Sequence, residues 1–474
     1  MSFKIFSLQL TGKIKPVEKI ENQREALYKN YQEFLTVEKS DELKEYIELE
    51  SYINSSDFKK KKAEIESLQF KGSKEYNELA EFEKLKKTKK LKHYFKVVDS
   101  QDLVRFEKIE NSEKPGEFKT LKEYVGGGKF AQDKKEKKEE AFNKKNRYRL
   151  LKSDPDVRFY TRFKKSSLYR DFLDVKSSND LIRYKELKER TASNSFLERK
   201  AYLEDKKKWE KTEEFTKLRK FEEIKGRPHI QNYFKYKGSN DFDFFKGWEL
   251  TFEDNFSGAL DSGKWSTVNK WAEHVGENFS LPGDLHFFTS GENIKTNGKL
   301  TIEVKKEKVK GKIWKMPAGF VPVDFDYTSG LLSTSNGFGK GEEIFEAKIK
   351  FQPLKQLVST LSLSGDNGSP MVNLLEMGTK NRLGISKLDS NNKIQVEGLD
   401  ISNLKPGKWY IFSVEKSGAA FTWKINDTEV LSINKNDIQY PLNLNASTIV
   451  VDEIPGHLLP NAFEIGWVKC YRKK

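Results

Sequence analysis

Along the first half of the chain, apolar residues recur at three-residue spacing, as in Tyr76, Leu79, Phe82 and Leu85, and the runs follow one short signal. The signal is Ser or Thr, any residue, Asp or Glu, then an apolar residue. It occurs at Ser40-Asp-Glu-Leu43, Ser55-Ser-Asp-Phe58, Ser73-Lys-Glu-Tyr76, Ser100-Gln-Asp-Leu103, Ser178-Asn-Asp-Leu181 and Thr212-Glu-Glu-Phe215. A hydroxyl that accepts from free first-turn amides, with a carboxylate near the positive end of the helix dipole, starts a helix. Starts 15 and then 18 residues apart predict helices of about three turns, stacked as short hairpins. In the second half the telling stretch is Met371-Val-Asn-Leu-Leu-Glu376. On an extended strand Met371 and Asn373 share one face and Val372 and Leu374 the other, and one bulge residue, Leu375, returns Glu376 to the Met371 face.

The helical half is duplicated. Tyr31, Phe34, Leu35, Val37, Leu43, Tyr46, Leu49 and Phe58 recur 138 residues later as Tyr169, Phe172, Leu173, Val175, Leu181, Tyr184, Leu187 and Phe196. After one inserted residue, Tyr94-Phe-Lys96 aligns with Tyr233-Phe-Lys235. Two copies, 31–125 and 149–246, follow an N-terminal segment of residues 1–30. Between the copies, Gly126-Gly-Gly128 and a charge run with little to bury read as a flexible linker, 126–148. Repeated helices with one aromatic seam and no catalytic pattern suggest a scaffold that docks a protein partner or copies of itself.

Residues 247–474 carry several further motifs. Phe252-Glu-Asp-Asn-Phe-Ser-Gly-Ala-Leu-Asp-Ser-Gly-Lys-Trp265 and Asn293-Ile-Lys-Thr-Asn-Gly-Lys-Leu-Thr-Ile302 open the region. Tyr327-Thr-Ser-Gly-Leu-Leu-Ser-Thr334 and Phe345-Glu-Ala-Lys-Ile-Lys350 precede the Met371 hexamer. Lys408-Trp-Tyr-Ile-Phe-Ser-Val-Glu-Lys416 and Phe463-Glu-Ile-Gly-Trp-Val-Lys-Cys-Tyr471 close it. In this order they resemble glycoside hydrolase family 16, the laminarinases and β-glucanases of the concanavalin A-like class. The resemblance implies an antiparallel β jelly roll, and so a multidomain α + β chain with a duplicated helical arm ahead of the sandwich.

That family's signature is Glu-x-Asp-x-x-Glu: nucleophile, helper aspartate, acid/base. Carried over by position, the nucleophile is Met371 and the helper Asn373; only the acid/base, Glu376, matches. Retaining hydrolysis needs two carboxyl groups roughly 5 Å apart, and a thioether replaces neither. A substitute nucleophile would have to come from a neighbouring strand, near Glu343 or Glu346. The family's tryptophan floor is also missing, since the stretch after Lys350 reads Gln356-Leu-Val-Ser-Thr-Leu-Ser362. The resemblance puts Trp271, His274, Trp314 and Phe320 in loops that wall the cleft, where with Asn373 and Glu376 they are the glycan-binding candidates. Trp265, Trp423, Trp467 and Trp409 are expected in the sandwich core. A structural calcium braces many such jelly rolls, with Asp254 or Asp261 as candidate ligands; no other cofactor is implied.

Composition then narrows the classes. Residues 241–474 hold 28 basic and 29 acidic residues, net −1, whereas 1–240 hold 59 and 43, net +16. Acidic residues are interleaved with the lysines, as in Glu81-Phe-Glu-Lys-Leu-Lys86, which describes a solvated helix surface and makes nucleic acid an improbable partner. Five histidines, His93, His229, His274, His286 and His457, lack metal-ligand spacing, and His93 and His229 are expected at helix ends. The single cysteine, Cys470, can form no internal disulfide. No run approaches a membrane span, and the N-terminus lacks a signal-peptide core, so a cytoplasmic protein, or one exported or assembled by another route, is expected. The sequence reading is therefore a pseudo-glycosidase serving as a structural or assembly component, such as part of a virion or secretion apparatus. A lectin-like glycan-binding module and an active endo-β-glucanase are the alternatives.

Overall fold

The start signals become joints. Ser55, Ser73, Ser100, Ser178 and Thr212 each accept a hydrogen bond from the backbone N–H three residues on. Ser100, Ser178 and Ser193 also donate to Val97, Val175 and Arg190, in the last turn of the helix before. One hydroxyl thus ends one helix and starts the next.

The computed structural model describes residues 3–339, 341–365, 368–389, 393–436, 438 and 441–474, with the backbone alone for Phe3, Trp271 and His274. Its first helices are α1 (Phe3–Leu10), α2 (Val17–Glu38), α3 (Asp41–Asn54), α4 (Ser56–Ser67), α5 (Lys74–Lys87), α6 (Lys89–Val98), α7 (Gln101–Glu110) and α8 (Glu113–Gly126). Then come α9 (Gly128–Glu136), α10 (Lys138–Ser153), α11 (Pro155–Lys164), α12 (Ser167–Lys176), α13 (Asn179–Ala192), α14 (Asn194–Glu204), α15 (Glu213–Lys225), α16 (Pro228–Tyr236) and α17 (Asp243–Gly247). Among the described residues no helix is long and apolar enough to cross a membrane.

Two compact units emerge: residues 41–227, and residues 1–40 together with 228–474. In the first, consecutive helices do not fold back as the short hairpins expected from the spacing, because most joints have only one or two residues, too few to reverse the chain. The first copy runs out and the second returns along it, pairing α3 with α15, α5 with α13, α6 with α12, α7 with α11 and α8 with α10. Residues related by the duplication make the same contacts twice. Tyr46 meets Phe221 with centroids 5.1 Å apart, and Phe82 meets Tyr184 at 5.2 Å. Lys61 pairs with Glu214 as Arg199 does with Glu75, and Lys62 lies over Trp209 as Lys200 does over Phe70. The copies form an internal pseudo-dimer, so the seam lies between them and not within each.

The segment expected as a flexible linker, 126–148, is helical and turns the chain around. Ala141 is fully buried, Phe118 stacks on Tyr148, and Arg147 holds Glu117 with two hydrogen bonds of 2.8 Å. Its charge run is solvated, but every third or fourth position still finds an apolar or ionic neighbour. His93 lies inside α6, where Nδ1 sits 2.7 Å from Asp171, and not at a helix end.

The second unit is a sandwich of β1 (Trp248–Asp254), β2 (Trp265–Ser266), β3 (His286–Phe288), β4 (Ile294–Thr296), β5 (Leu300–Lys315), β6 (Gly319–Ser329), β7 (Leu331–Thr334), β8 (Glu343–Phe351) and β9 (Leu357–Ser364). It continues with β10 (Met371–Gly378), β11 (Arg382–Leu388), β12 (Ile394–Asp400), β13 (Lys408–Ser417), β14 (Ala420–Ile425), β15 (Thr428–Asn434), β16 (Asn443–Val450) and β17 (Asn461–Lys473). One sheet runs β15-β14-β13-β8-β17-β5-β6-β3, with β1 on β17 and β4 on β5; the other runs β12-β11-β10-β9-β16-β7-β2. Pairing is antiparallel except between β3 and β6.

The N-terminal segment is part of this sandwich. Ile5 is fully buried in its core, with Leu8 and Ile14 packed alongside. Lys4 donates to the Val430 carbonyl, Thr428 to that of Lys13 and Asn426 to that of Lys15. Val17 and Ile20 of α2 then lie on Ile411, Trp409 and Trp467 on the sheet's outer face. Trp409 and Trp467 were expected in the core, where Trp265 and Trp423 do lie. They alternate instead to the outside of β13 and β17, and α2 covers them. Glu21 accepts from Trp467 Nε1 and Lys348, both at 2.8 Å, and Arg24 grips Glu346 at 2.9 and 3.0 Å and also reaches Asp427.

Two outcomes follow from this packing. Arg24→Ala leaves Glu346, only 5% exposed, without its partner. Because Arg24 is itself about a third exposed, the expected loss of stability is about 2 kcal/mol, below the several kcal/mol of a fully buried pair. Urea denaturation of the full chain checks this, and an unchanged midpoint would rule out the clamp. The 41–227 fragment, whose seam is self-contained, is expected to be helical and to melt cooperatively by circular dichroism; a random-coil spectrum would show that it needs the rest of the chain.

Candidate functional site

β10 alternates as its sequence predicts, until it bulges. Its register with β9 pairs Met371 with Ser364 and Asn373 with Ser362, then slips so that Leu375 faces Leu361 and Glu376 faces Thr360. The slip takes in Leu374 as well as Leu375, and both leucines enter the core with Val372 and Met377. Met371, Asn373 and Glu376 are left together on the opposite face, which the bulge at this point was expected to achieve.

On that face the charges are closed. Arg382, at the start of β11, donates Nε to Glu376 Oε2 at 2.9 Å. One of the two oxygens from which Glu376 could act as a general acid is thus engaged by a guanidinium. Asn373 donates Nδ2 to Ser386 Oγ at 3.2 Å, and its carbonyl accepts from Trp423 Nε1 at 2.8 Å, while its Oδ1 is buried with no protein partner. Around them lie small polar side chains joined to one another. Asn445 donates to Ser364 at 2.8 Å and accepts from Ser333 at 2.6 Å. Ser362, Ser364, Asn373, Ser386 and Asn443 are all buried. Strands β9, β10, β11, β16 and β7 supply one carboxylate between them, Glu376.

The remaining candidates fall elsewhere. Trp314 and Phe320 meet edge to face, centroids 4.9 Å apart, at the end of the β5–β6 hairpin, and are 42% and 38% exposed. Those strands belong to the other sheet from β10. Trp271 and His274 lie on a short 3-10 turn, Lys270–Val275, and their side chains are outside the described residues. Glu343 and Glu346 do not neighbour Met371: both lie on β8 of the opposite sheet, paired with Arg472 and Arg24. Asp254 accepts from Phe256 N–H with one oxygen and from Trp265 Nε1 with the other, and Asp261 accepts from Gly263 N–H. Among the described residues no group of three His, Cys, Asp or Glu side chains could hold a metal. His286 is buried and its ring is held neutral, burial lowering its pKa to about 4. Burial likewise pushes the Cys470 thiol up.

Sequence reasoning missed Arg382, although the signal was there. Gly378-Thr-Lys-Asn381 is a hairpin length that places residue 382 opposite 376, and the two pair in register. It also missed the polar floor, written as the alternations Ser362-Leu-Ser364 and Asn443-Leu-Asn445.

No protein-family model and no curated protein matches the chain. Solved structures do. The catalytic domain of an endo-1,3-beta-glucanase (laminarinase) from Thermotoga petrophila RKU-1 is 20% identical, with 48% of this chain and 98% of that one covered and a TM-score of 0.36. The endo-beta-1,3-glucanase from Pyrococcus furiosus is also 20% identical over 48% and 95%, at 0.36. The kappa-carrageenase from Pseudoalteromonas carrageenovora, solved with an oligotetrasaccharide of kappa-carrageenan, is 16% identical over 48% and 96%, at 0.37. The C-terminal half of this chain is a jelly roll similar in fold to those of family 16 glycoside hydrolases.

Proposed function

We propose that this protein is a non-catalytic structural or assembly component, in which a family 16-type jelly roll has lost its glycosidase chemistry and a helical arm docks a partner. The observation that carries the reading is the β10 face: Met371 stands where the resemblance puts the nucleophile, and the one carboxylate there is ion-paired to Arg382. A retaining mechanism needs a second carboxylate roughly 5 Å away to capture the oxocarbenium-like centre, and strands β9, β10, β11, β16 and β7 supply none besides Glu376. For the docking role the arm offers repeated helices with apolar side chains at the surface, Val104, Leu150, Ile182 and Leu197, on four separate helices. A second reading, glycan binding without hydrolysis, is favoured by the exposed Trp314–Phe320 pair, since sugar rings stack on such planes.

No hydrolysis of laminarin, lichenan, agarose or carrageenan above background is expected in a reducing-sugar assay. Any residual signal should be untouched by Glu376→Gln. Hydrolysis that Glu376→Gln abolishes would overturn the proposal. The Met371→Glu, Asn373→Asp double variant is expected to stay inactive, because it adds two charges beside Glu376, one half-buried at 371 and one buried at 373, where Arg382 is already engaged; recovered turnover would show that only the chemistry was lost and the cleft kept.

A further inference from the structure

On the outer face of the ten-stranded sheet, beside the first turns of α2, a groove of about 410 Å³ lies between Trp409 and Trp467. That volume is within the roughly 300–1,000 Å³ of small-molecule sites. Lys348, Gly466, Lys299 and Asn255 complete its walls. It is on the other sheet from Met371, Asn373 and Glu376, so it is no remnant of their cleft.

Four features give the groove a chemistry. First, each indole is half-buried, and that of Trp467 is fixed by its hydrogen bond to Glu21 at 2.8 Å. Second, Gly466 sits at a break in the β17 register, where a Cβ would come within 3.2 Å of the Lys348 stem and 3.5 Å of the Trp409 ring. Any side chain there would occupy the groove. Third, its cations are already compensated: Lys348 pairs with Glu21 at 2.8 Å and Lys299 with Glu464. An anion would have to compete with both carboxylates, whereas a neutral ligand displaces nothing. Fourth, Asn255 uses its carbonyl oxygen on Ser257 N–H, which turns its NH2 group to donor duty. Flat apolar walls, no spare charge and a free amide donor suit a ring with one apolar face and a rim of hydroxyls.

We propose that this groove binds a neutral oligosaccharide, one or two pyranose rings stacking on Trp409 and Trp467 with hydroxyls bonded to Asn255. The site is independent of the lost chemistry on β10, and its failure would leave the proposed absence of hydrolysis untouched. It also gives the two outward tryptophans a role beyond carrying α2.

The test is calorimetric titration and tryptophan fluorescence of the full chain with laminaritetraose, cellotetraose and maltotetraose, at low and high salt. Saturable, salt-independent binding of at least one is expected. Gly466→Leu, which fills the groove, and Asn255→Ala should each weaken it by about tenfold or more. Trp314→Ala, on the distant hairpin, should leave it unchanged. Far-UV circular dichroism and melting of each variant keep folding defects apart from binding defects, and Asn255→Ala is the milder change should Gly466→Leu misfold. Binding of none of the three sugars overturns the proposal, as does binding that survives both groove variants or is lost with Trp314→Ala.

Discussion

The contact on which the sandwich unit depends is the seating of α2 on the outer sheet face. One helical turn carries Glu21 and Arg24, and the sheet answers with Lys348, Trp467 and Glu346. An exposed ion pair of this kind adds little by itself. Here it is joined to apolar burial of Val17 and Ile20 on Ile411 and to a carboxylate, Glu346, that water barely reaches. The same helix continues for 22 residues, and its far end stacks Phe34 on Tyr233 at 4.8 Å and Tyr31 on Phe245 at 5.3 Å. A single rigid element therefore ties the strap that plugs the sandwich to the aromatic cluster around Phe242.

The arm solves a different problem. Short helices are marginal alone, and hydroxyl joints such as Ser55, Ser100, Ser178 and Ser193 start a helix without a loop in which to turn. Burial must then come from another strand of helices, and the duplicated copy supplies one of matching periodicity. Because the ring, ion-pair and cation–π contacts named above recur with the partners exchanged, the seam is self-complementary in the manner of a two-fold interface within one chain. That is also why the reversal at α8–α10 cannot be a loose linker: the returning copy must enter in register with the outgoing one.

How much of this was legible depended on the range of the interaction. Helix starts, the β10 alternation and its bulge rest on neighbours a few residues apart, and the duplication on a direct match 138 residues on, so the residues state them directly. The seating of Ile5 in the sandwich core, and of Trp409 and Trp467 under α2, joins residues about 400 apart and has no local signature. Alternation told that one face of β13 and β17 is apolar; it could not tell that the other face was apolar too because a helix covers it. Arg382 is the intermediate case, readable once the hairpin length fixes its register with Glu376.

The residues that share the β10 face, Met371, Asn373 and Glu376, answer to one charge constraint. In a floor this buried, each carboxylate needs a cation or several donors, or its desolvation works against folding. The sheet provides a guanidinium, Arg382, and Glu376 is the carboxylate on β10 that it reaches. An aspartate at position 373 would share the floor with Glu376 and meet the neutral hydroxyls of Ser386 and Ser362, whereas asparagine is neutral, donates to Ser386, and leaves one oxygen without a partner among the described residues, at a cost of about 1–3 kcal/mol. A glutamate at 371 would add another uncompensated charge beside Ser364 and Ser386. Methionine there needs no partner at all. The pattern Met-x-Asn-x-x-Glu thus puts on β10 one charge, Glu376, and Arg382 pairs it.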